Sequence, residues 1–189
     1  MFFGATIFNQ NLGNWDTSSV TNMSYAFRHS TAFNKPIGNW DVSSVVNMSY
    51  MFEGASSFKR DLGGWNTLSA SQITSMFKGA YQFNSDISEW NVSSVTNMSN
   101  IYQNANALSN ENKGLIHKTF SSNSNWSYDW SEFVVYEPIT DANFQDAVNL
   151  WFSDEANATY TYGHIRDWNV SLVTDMSEAF RDRTYPSQG

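Results

Sequence analysis

The chain has 189 residues, no cysteine and a net charge of −8, with 10 Lys and Arg against 18 Asp and Glu. This acidity argues against a nucleic-acid partner, because binding to phosphates requires a basic surface. Without cysteine there are no disulfides and no thiolate metal sites. The 8 Trp, 9 Tyr and 14 Phe residues are therefore expected to supply the buried area that stabilises the fold.

The composition also bears on localisation. Lysine is scarce while Asn, Ser and Thr abound, which favours an extracellular or cell-surface protein. No run of about 18 apolar residues occurs, so we expect no membrane insertion. The N-terminal MFFGATIFNQ lacks the basic start and long apolar core of a signal peptide, and we expect the targeting segment to lie outside this chain.

A 25-residue repeat dominates the first part of the chain. Trp15, Trp40, Trp65 and Trp90 recur at this spacing, and residues 1–12 match residues 51–62, the middle of a repeat. A period of this size predicts stacked repeats, because each one is too short to bury its own apolar face. Residues 1–112 are therefore predicted to form a repeat solenoid that starts in mid-repeat.

Each repeat is predicted to contain one short strand and one short helix. Residues 87–92, around Trp90, alternate with the period of a strand. Residues 94–102 place apolar side chains at helical spacing behind a serine cap, which indicates a helix of about two turns. Each helix is predicted to end at a left-handed residue, at His29, Gly54, Gly79 and Asn104.

Apolar columns and an end cap are expected to close the core. The columns are Phe33, Phe58, Phe83 and Leu108, and Ile37, Leu62 and Ile87. Ser109 is predicted to cap a helix over residues 110–120. Residues 113–137 would then form the rest of a capping helix and an aromatic loop. The aromatic residues of this loop, between Trp126 and Tyr136, are interpreted as a seal on the last repeat, with stacking on sugars as the alternative.

A second segment follows over residues 138–189. Residues 141–152 have the apolar spacing of an amphipathic helix. Residues 165–180 then restore the repeat pattern, with Trp168 in the place of Trp90. We interpret this segment as the start of a second solenoid block, and the alternative is that the first solenoid continues through an irregular turn.

The unit W-(D/N)-V-S-S-V-T-N-M-S-x-M-F-x-G-A-x-x-F-N-x-x-I resembles the repeat of the BspA-like bacterial surface proteins, which are related to leucine-rich repeats. The resemblance covers residues 1–112 and 165–182. It implies an α/β fold, a right-handed leucine-rich-repeat-like solenoid with one short strand and one short helix per turn and helical caps. It also implies a role in adhesion or in protein or glycan recognition at the cell surface, without catalytic residues.

The candidate ligand-binding residues are the polar side chains predicted to point outward from the strands. They are Asn14, Asp16, Asn39, Asp41, Asn66, Glu89, Asn91, Asp167 and Asn169. In leucine-rich repeats the corresponding face is usually the binding face, and an array of carboxylates and amides suits a protein or glycan ligand. The alternative is that these side chains form hydrogen-bond ladders or are only solvated.

The sequence offers little evidence of catalysis or of a cofactor. Asp16 and Asp41 are expected about 5 Å apart on neighbouring strands, which makes them a weak Ca²⁺ candidate and a weaker glycosidase pair. His29, His117 and His164 have no metal-ligand spacing. Seven Asn-x-Ser/Thr triplets occur, and we attribute the five inside the repeats to helix starts and strand chemistry, with glycosylation as the weaker alternative.

We therefore expect a non-enzymatic surface module without a cofactor that recognises a protein or glycan. The alternative is a structural spacer with no ligand of its own. Residues 1–12 form half a repeat, and residues 168–180 supply the missing half. Head-to-tail self-association is accordingly a further expectation.

Overall fold

A computed structural model of the protein describes residues 1–181. Residues 182–189 lie outside the described residues. They belong to the predicted 138–189 segment and include residue 182, the last residue of the family resemblance. The chain divides into two compact units, a first unit of Met1–Val134 and a second unit that begins at Val135. The α-helices are α1 (Asn110–Phe120), α2 (Phe144–Ser153) and α3 (Glu155–Tyr162), and 3₁₀ turns occupy Ser131–Phe133 and Ile165–Asp167.

The predicted α/β, leucine-rich-repeat-like solenoid with a strand and a helix in every turn is wrong. Across residues 1–181 the structure contains no sheet, and no helix lies within residues 1–109. Each repeat of the first unit is instead a series of tight turns. Isolated parallel bridges join successive repeats at Asn22, Asn47, Gln72 and Asn97.

A left-handed residue explains why the repeat helix does not form. Tyr25, Tyr50, Ser75 and Asn100, which are equivalent in the four repeats, have φ angles of 58°, 62°, 51° and 56°. A residue with positive φ cannot continue a right-handed helix. The apolar spacing that predicted a helix instead places side chains inside a stack of turns. The predicted left-handed residues His29, Gly54, Gly79 and Asn104 are confirmed.

Backbone hydrogen bonds alternate between the same repeat and the next one. Phe27 donates its N–H to the carbonyl of Met51 in the next repeat (2.9 Å), whereas Arg28 donates to the carbonyl of Tyr25 in its own turn (3.2 Å). Phe52 and Phe77 repeat the first of these bonds at 2.9 Å. The backbone is thus hydrogen-bonded without a helix or a sheet.

The predicted strand around each tryptophan is also a turn. Trp90 donates its backbone N–H to the carbonyl of Ile87 (3.0 Å), and its indole Nε1–H donates to the carbonyl of Leu62 in the preceding repeat (3.0 Å). The period-2 alternation arises because the turn buries Trp90 and Val92 and exposes Asn91. Alternating burial alone therefore does not prove an extended backbone.

Stacked aromatic rings fill the core of the first unit. The rings at Phe27, Phe52 and Phe77 lie parallel with centroids 5.6 and 5.8 Å apart. A second column through Phe33, Phe58 and Phe83 has spacings of 5.9 and 6.3 Å. The predicted apolar columns are confirmed, since all of their members are buried.

Helix α1 and the aromatic loop cover the last repeat. The Ser109 side chain accepts a hydrogen bond from the N–H of Asn112 (3.2 Å), which confirms the predicted cap. Ile116 and Phe120 of α1 are buried in the core. The loop residues Trp126, Tyr128 and Trp130 pack against that core, so these three rings seal the stack as predicted.

The second unit has its own small core around Ile139, Ala147, Val148 and Ala179. Helix α2 begins at Phe144, three residues later than predicted, because the N–H of Thr140 is bonded to the side chain of Asn143 in a turn (2.8 Å). Helix α3 was not predicted. Among residues 1–181, no helix has the length and apolarity needed to cross a bilayer.

Candidate functional site

The structure places all nine candidate residues at the surface. Asn14, Asp16, Asn39, Asp41, Asn66, Glu89 and Asn91 occur in the repeats of the first unit, whereas Asp167 and Asn169 belong to the second unit. Those of the first unit form two columns of equivalent positions, one through Asn14 and Asn39 and one through Asp16 and Asp41. We call these two columns the polar face.

The column through Asp16 consists of local turns closed by side chains. Asp41 Oδ1 accepts from the backbone N–H of Ser43 (2.9 Å) and from its hydroxyl (2.6 Å). Asp16, Asn66, Asn91 and Asn169 accept in the same way from the N–H two residues later. Each side chain thus closes a turn within its own repeat, which is neither a ladder between repeats nor simple solvation. Binding of a ligand by the same side chains stays a prediction.

These turns also set the charge of the column. The hydroxyl and then the N–H of Ser43 lower the pKa of Asp41, and the nearby charge of Asp16 opposes this shift weakly. The hydroxyl and N–H of Ser18 lower the pKa of Asp16 in the same manner. Both carboxylates are therefore anionic at neutral pH.

The same turns leave one carboxylate oxygen of Asp16 and one of Asp41 for a cation, and calcium binding there stays a prediction. One oxygen of each carboxylate is already hydrogen-bonded, and Ca²⁺ takes six to eight oxygen ligands. The described residues also contain no group of three or more His, Cys, Asp or Glu side chains that could hold a metal ion.

A groove of about 660 Å³ opens beside the column of Asn14 and Asn39. We call it the polar groove, and it is lined by Asn11, Gly13, Asn14, Pro36, Gly38, Asn39, Arg60, Asp61 and Gly64. Two predicted residues, Asn14 and Asn39, are part of it. Sequence reasoning missed Asn11, Arg60 and Asp61. The period could have pointed to two of them, because Asn11 and Asp61 both lie four residues before the tryptophan of their repeats.

Two glycines shape the polar groove. A Cβ on Gly38 would lie 2.8 Å from the carbonyl oxygen of Asp61, so only glycine lets these two repeats approach so closely. Gly64 occupies the position held by Asn14 and Asn39 in the preceding repeats, and a Cβ there would meet nothing within 4 Å. The missing side chain of Gly64 leaves the groove open.

Internal hydrogen bonds fix the walls of the polar groove. Asn39 Nδ2 donates to the carbonyl of Gly13 (2.8 Å). Asp61 Oδ1 accepts from the N–H of Gly63 and from the hydroxyl of Ser85, both at 2.9 Å. These two bonds, the N–H first, lower the pKa of Asp61 and keep it ionised. Arg60 is held by a hydrogen bond from its Nε to the carbonyl of Asn34 (2.9 Å).

A second groove of about 350 Å³ is lined by residues that include Glu53, Lys78 and Tyr81. Glu53 forms an ion pair with Arg28 and lies 3.9 Å from Lys78 Nζ. The charges of this groove therefore compensate one another. None of the nine candidate residues lies in it.

The Asn-x-Ser triplets within the repeats have a structural explanation. Asn22, Asn47, Asn91, Asn97 and Asn169 each accept a hydrogen bond from the N–H of the serine two residues later, at 2.9–3.1 Å. The spacing that resembles a glycosylation signal is the spacing that this turn requires. These five triplets thus belong to turns and not to the predicted helix starts and strands.

The comparisons with known proteins identify a family. No curated protein and no solved structure matches this sequence significantly. Residues 1–115 and 143–186 match the family described as "Mycoplasma protein of unknown function, DUF285". A BspA-like assignment finds no support beyond the sequence resemblance. Because the match extends over most of the sequence, the chain belongs to this Mycoplasma family of unknown function.

Proposed function

We propose that the first unit is a non-enzymatic recognition module at the bacterial cell surface, which binds a protein or glycan through the polar face. The observation that carries the proposal is the exposure of two parallel columns of amides and carboxylates on a scaffold fixed by internal hydrogen bonds. Such columns offer many modest hydrogen bonds at a regular spacing.

The rigidity of the scaffold favours recognition. Each repeat donates backbone hydrogen bonds to the next one, as Phe27 does to Met51, and local turns hold Asp16 and Asp41. When the polar groups are already held in place, the protein loses less conformational entropy on binding a ligand. The composition, with few lysines and no cysteine, supports placement outside the cell.

The same hydrogen bonds support a second candidate function, that of a spacer. Bonds between all successive repeats would hold the stack at a fixed length whether or not a ligand is bound. The spacer and the recognition module differ in one respect, since a spacer has no saturable ligand.

The test is a binding screen of the purified chain on arrays of extracellular-matrix proteins and glycans. Glu89→Lys is the diagnostic variant, because Glu89 is an exposed polar-face residue without a side-chain hydrogen bond or ion pair within residues 1–181. Glu132→Lys makes the same charge change away from this face. We expect saturable binding that Glu89→Lys weakens at least tenfold, about 1.4 kcal/mol, and that Glu132→Lys leaves intact.

Two outcomes would contradict the proposal. If nothing on either array binds saturably, the spacer is the better function. If both lysine variants weaken binding equally, the effect comes from net charge and the polar face is not the binding surface.

A further inference from the structure

We propose that the polar groove is a binding site for a neutral oligosaccharide. This proposal rests on the proposed function and deepens it, because it selects one ligand class and one place on the first unit. The groove has the size of an ordinary small-molecule site, which is about 300–1,000 Å³.

The groove presents hydrogen-bonding groups that the protein itself does not use. The side-chain amide of Asn14 makes no hydrogen bond within residues 1–181. The two terminal nitrogens of Arg60 likewise have no partner among the described residues, since only its Nε is bonded. Asn11 uses its Oδ1 for the N–H of Gly13 (3.0 Å) and keeps its Nδ2 for solvent or a ligand.

This set of groups matches the hydroxyls of a sugar. Each hydroxyl donates one hydrogen bond and accepts others, and an amide offers both functions side by side. Arg60 supplies donors and the Asp61 carboxylate supplies an acceptor. Neighbouring hydroxyls on a sugar ring can therefore be paired with donors and acceptors that lie in one groove.

The groove is less suited to a peptide. Pro36 is the only apolar side chain among its lining residues, whereas peptide-binding grooves use apolar pockets for anchoring side chains or a free sheet edge for the backbone. Among residues 1–181, neither an apolar pocket nor a free sheet edge lines this groove.

Charge selects a neutral sugar over an acidic one. Arg60 and Asp61 carry opposite charges at the groove, so the site has no net charge of its own. The whole chain carries a charge of −8, which disfavours the approach of a polyanion.

The walls are prearranged for such a ligand. Asn39 is bonded to the carbonyl of Gly13 and Asp61 to the N–H of Gly63. Few side chains must therefore lose freedom when the ligand binds.

The test uses the full chain, labelled with ¹⁵N, and NMR titration with three uncharged trisaccharides built from glucose, galactose and N-acetylglucosamine. A sialylated trisaccharide and an uncharged tripeptide are titrated in parallel. We expect at least one neutral sugar to shift the side-chain amide signals of Asn14 and Asn39 and the N–H signal of Gly64 in a saturable manner. The acidic sugar and the tripeptide should not do so.

Two variants tie the shifts to the groove. Gly64→Tyr should fill it without disturbing the fold, because a Cβ at this position meets no atom within 4 Å, and we expect it to weaken binding at least tenfold. Asn14→Ala should weaken binding several-fold, since that amide has no structural partner within residues 1–181. Tyr81→Ala, in the second groove, is the control and should bind as the unaltered chain does. Thermal melts of all three should agree with the unaltered chain within a few degrees.

Several results would overturn the groove proposal. These are the absence of saturable shifts with all neutral sugars, binding that Gly64→Tyr leaves unchanged, and binding of the sialylated sugar or the tripeptide alone. In each of these cases, a protein or glycan from the arrays whose binding Glu89→Lys weakens would still support the polar face as a binding surface. Conversely, a neutral sugar could bind in a way that Gly64→Tyr and Asn14→Ala weaken and Glu89→Lys leaves unchanged. That result would support the groove as the binding site and show that the rest of the polar face is not part of it.

Discussion

The same sequence motif occurs in both units, in a stack of repeats in the first and as a single copy within residues 135–181 of the second. Residues 90–102 end the repeat stack of the first unit, and residues 168–180 carry the equivalent pattern in the second unit. Their local conformations agree. Asn91 and Asn169 both accept from the serine two residues later, and the equivalent residues Asn100 and Glu178 are both left-handed, with φ angles of 56° and 61°.

The two copies differ in what surrounds them. Tyr102 is buried, whereas its counterpart Phe180 is 48% exposed. The indole of Trp90 donates to a carbonyl 28 residues earlier, in the preceding repeat, but that of Trp168 donates to Gly163, only five residues earlier (2.8 Å). Within residues 135–181 no further repeat stacks on this motif. The motif thus encodes its turns locally, and burial of its apolar side requires a neighbouring repeat.

The largest expected effect comes from truncating equivalent rings. Phe52 is fully buried and stacks on the rings of Phe27, Phe58 and Phe77, so Phe52→Ala should lower the free energy of unfolding of the first unit by about 3–5 kcal/mol. Phe180→Ala should cost the second unit less than about 1 kcal/mol, because that ring is half exposed. Hydrogen exchange measured peptide by peptide reports each unit separately. Equal losses would contradict the difference in packing.

The next effect concerns the indole hydrogen bonds. Trp90→Phe removes the indole donor to the carbonyl of Leu62, which keeps its second bond, from the N–H of Trp65 (3.1 Å). Loss of the indole bond should therefore cost about 0.5–1.5 kcal/mol in addition to the lost ring volume. Trp168→Phe should cost the second unit less in total, because the ring of Trp168 is only half buried and its replacement loses less packing. Urea unfolding of the two variants, followed by hydrogen exchange, checks the order. A larger loss for Trp168→Phe would show that the second unit depends on its indole more than the structure indicates.

A smaller effect, of opposite sign, is expected at the end of the stack. The equivalent positions in the other repeats are Phe27, Phe52 and Phe77, but Tyr102 buries a hydroxyl that has no hydrogen-bond partner within residues 1–181. Burial raises the pKa of this phenol well above its ordinary value, so it stays neutral. Tyr102→Phe should stabilise the first unit by about 1 kcal/mol, as a rise in the urea midpoint. A destabilised variant would show that the hydroxyl is paired, for example with an internal water.

The smallest effect is a pH dependence that distinguishes the units. In the second unit Asp141 accepts from the hydroxyl of Thr174 (2.7 Å) and from its N–H (2.6 Å), and these bonds, the hydroxyl first, lower the pKa of Asp141. A carboxyl whose pKa is lower in the folded state stabilises that state above its ordinary pKa of 3.8, and this contribution is lost as the pH falls through the lowered value. The bonds between repeats of the first unit are mostly backbone bonds that do not titrate.

We therefore expect NMR signals of residues 139–181 to change first as the pH falls below about 4. Asp141→Asn should reduce this early change, because the amide cannot ionise. Simultaneous loss of both sets of signals would mean that titration of Asp16, Asp41 and Asp61 matters as much to the first unit.

The candidate site was only partly predictable. Asn14 and Asn39 follow from the period, because equivalent positions of stacked repeats form columns. Arg60 occurs once at its place in the repeat, so no periodic signal marks it, and its position beside Asn14 depends on how successive repeats are stacked. In the sequence, Gly64 is only a departure from the repeat pattern. The structure is needed to show that the space around it is empty and that the groove opens there.

The sequence by itself determined the period, the buried columns, the left-handed residues His29, Gly54, Gly79 and Asn104, and the cap at Ser109. These features depend on side-chain size, on glycine or a short polar residue, and on contacts a few residues apart. Only the tertiary structure decided how the turns of the repeat are stacked and buried. Tyr25 and Tyr50 donate their N–H groups to the carbonyls of Ser49 and Thr74 in the next repeat. Asn100 and Glu178 adopt the same positive φ with no such bond within residues 1–181, so the turn itself is local. Partners 24 residues away join one repeat to the next and bury an apolar pattern whose local spacing is the same in a helix and in these turns.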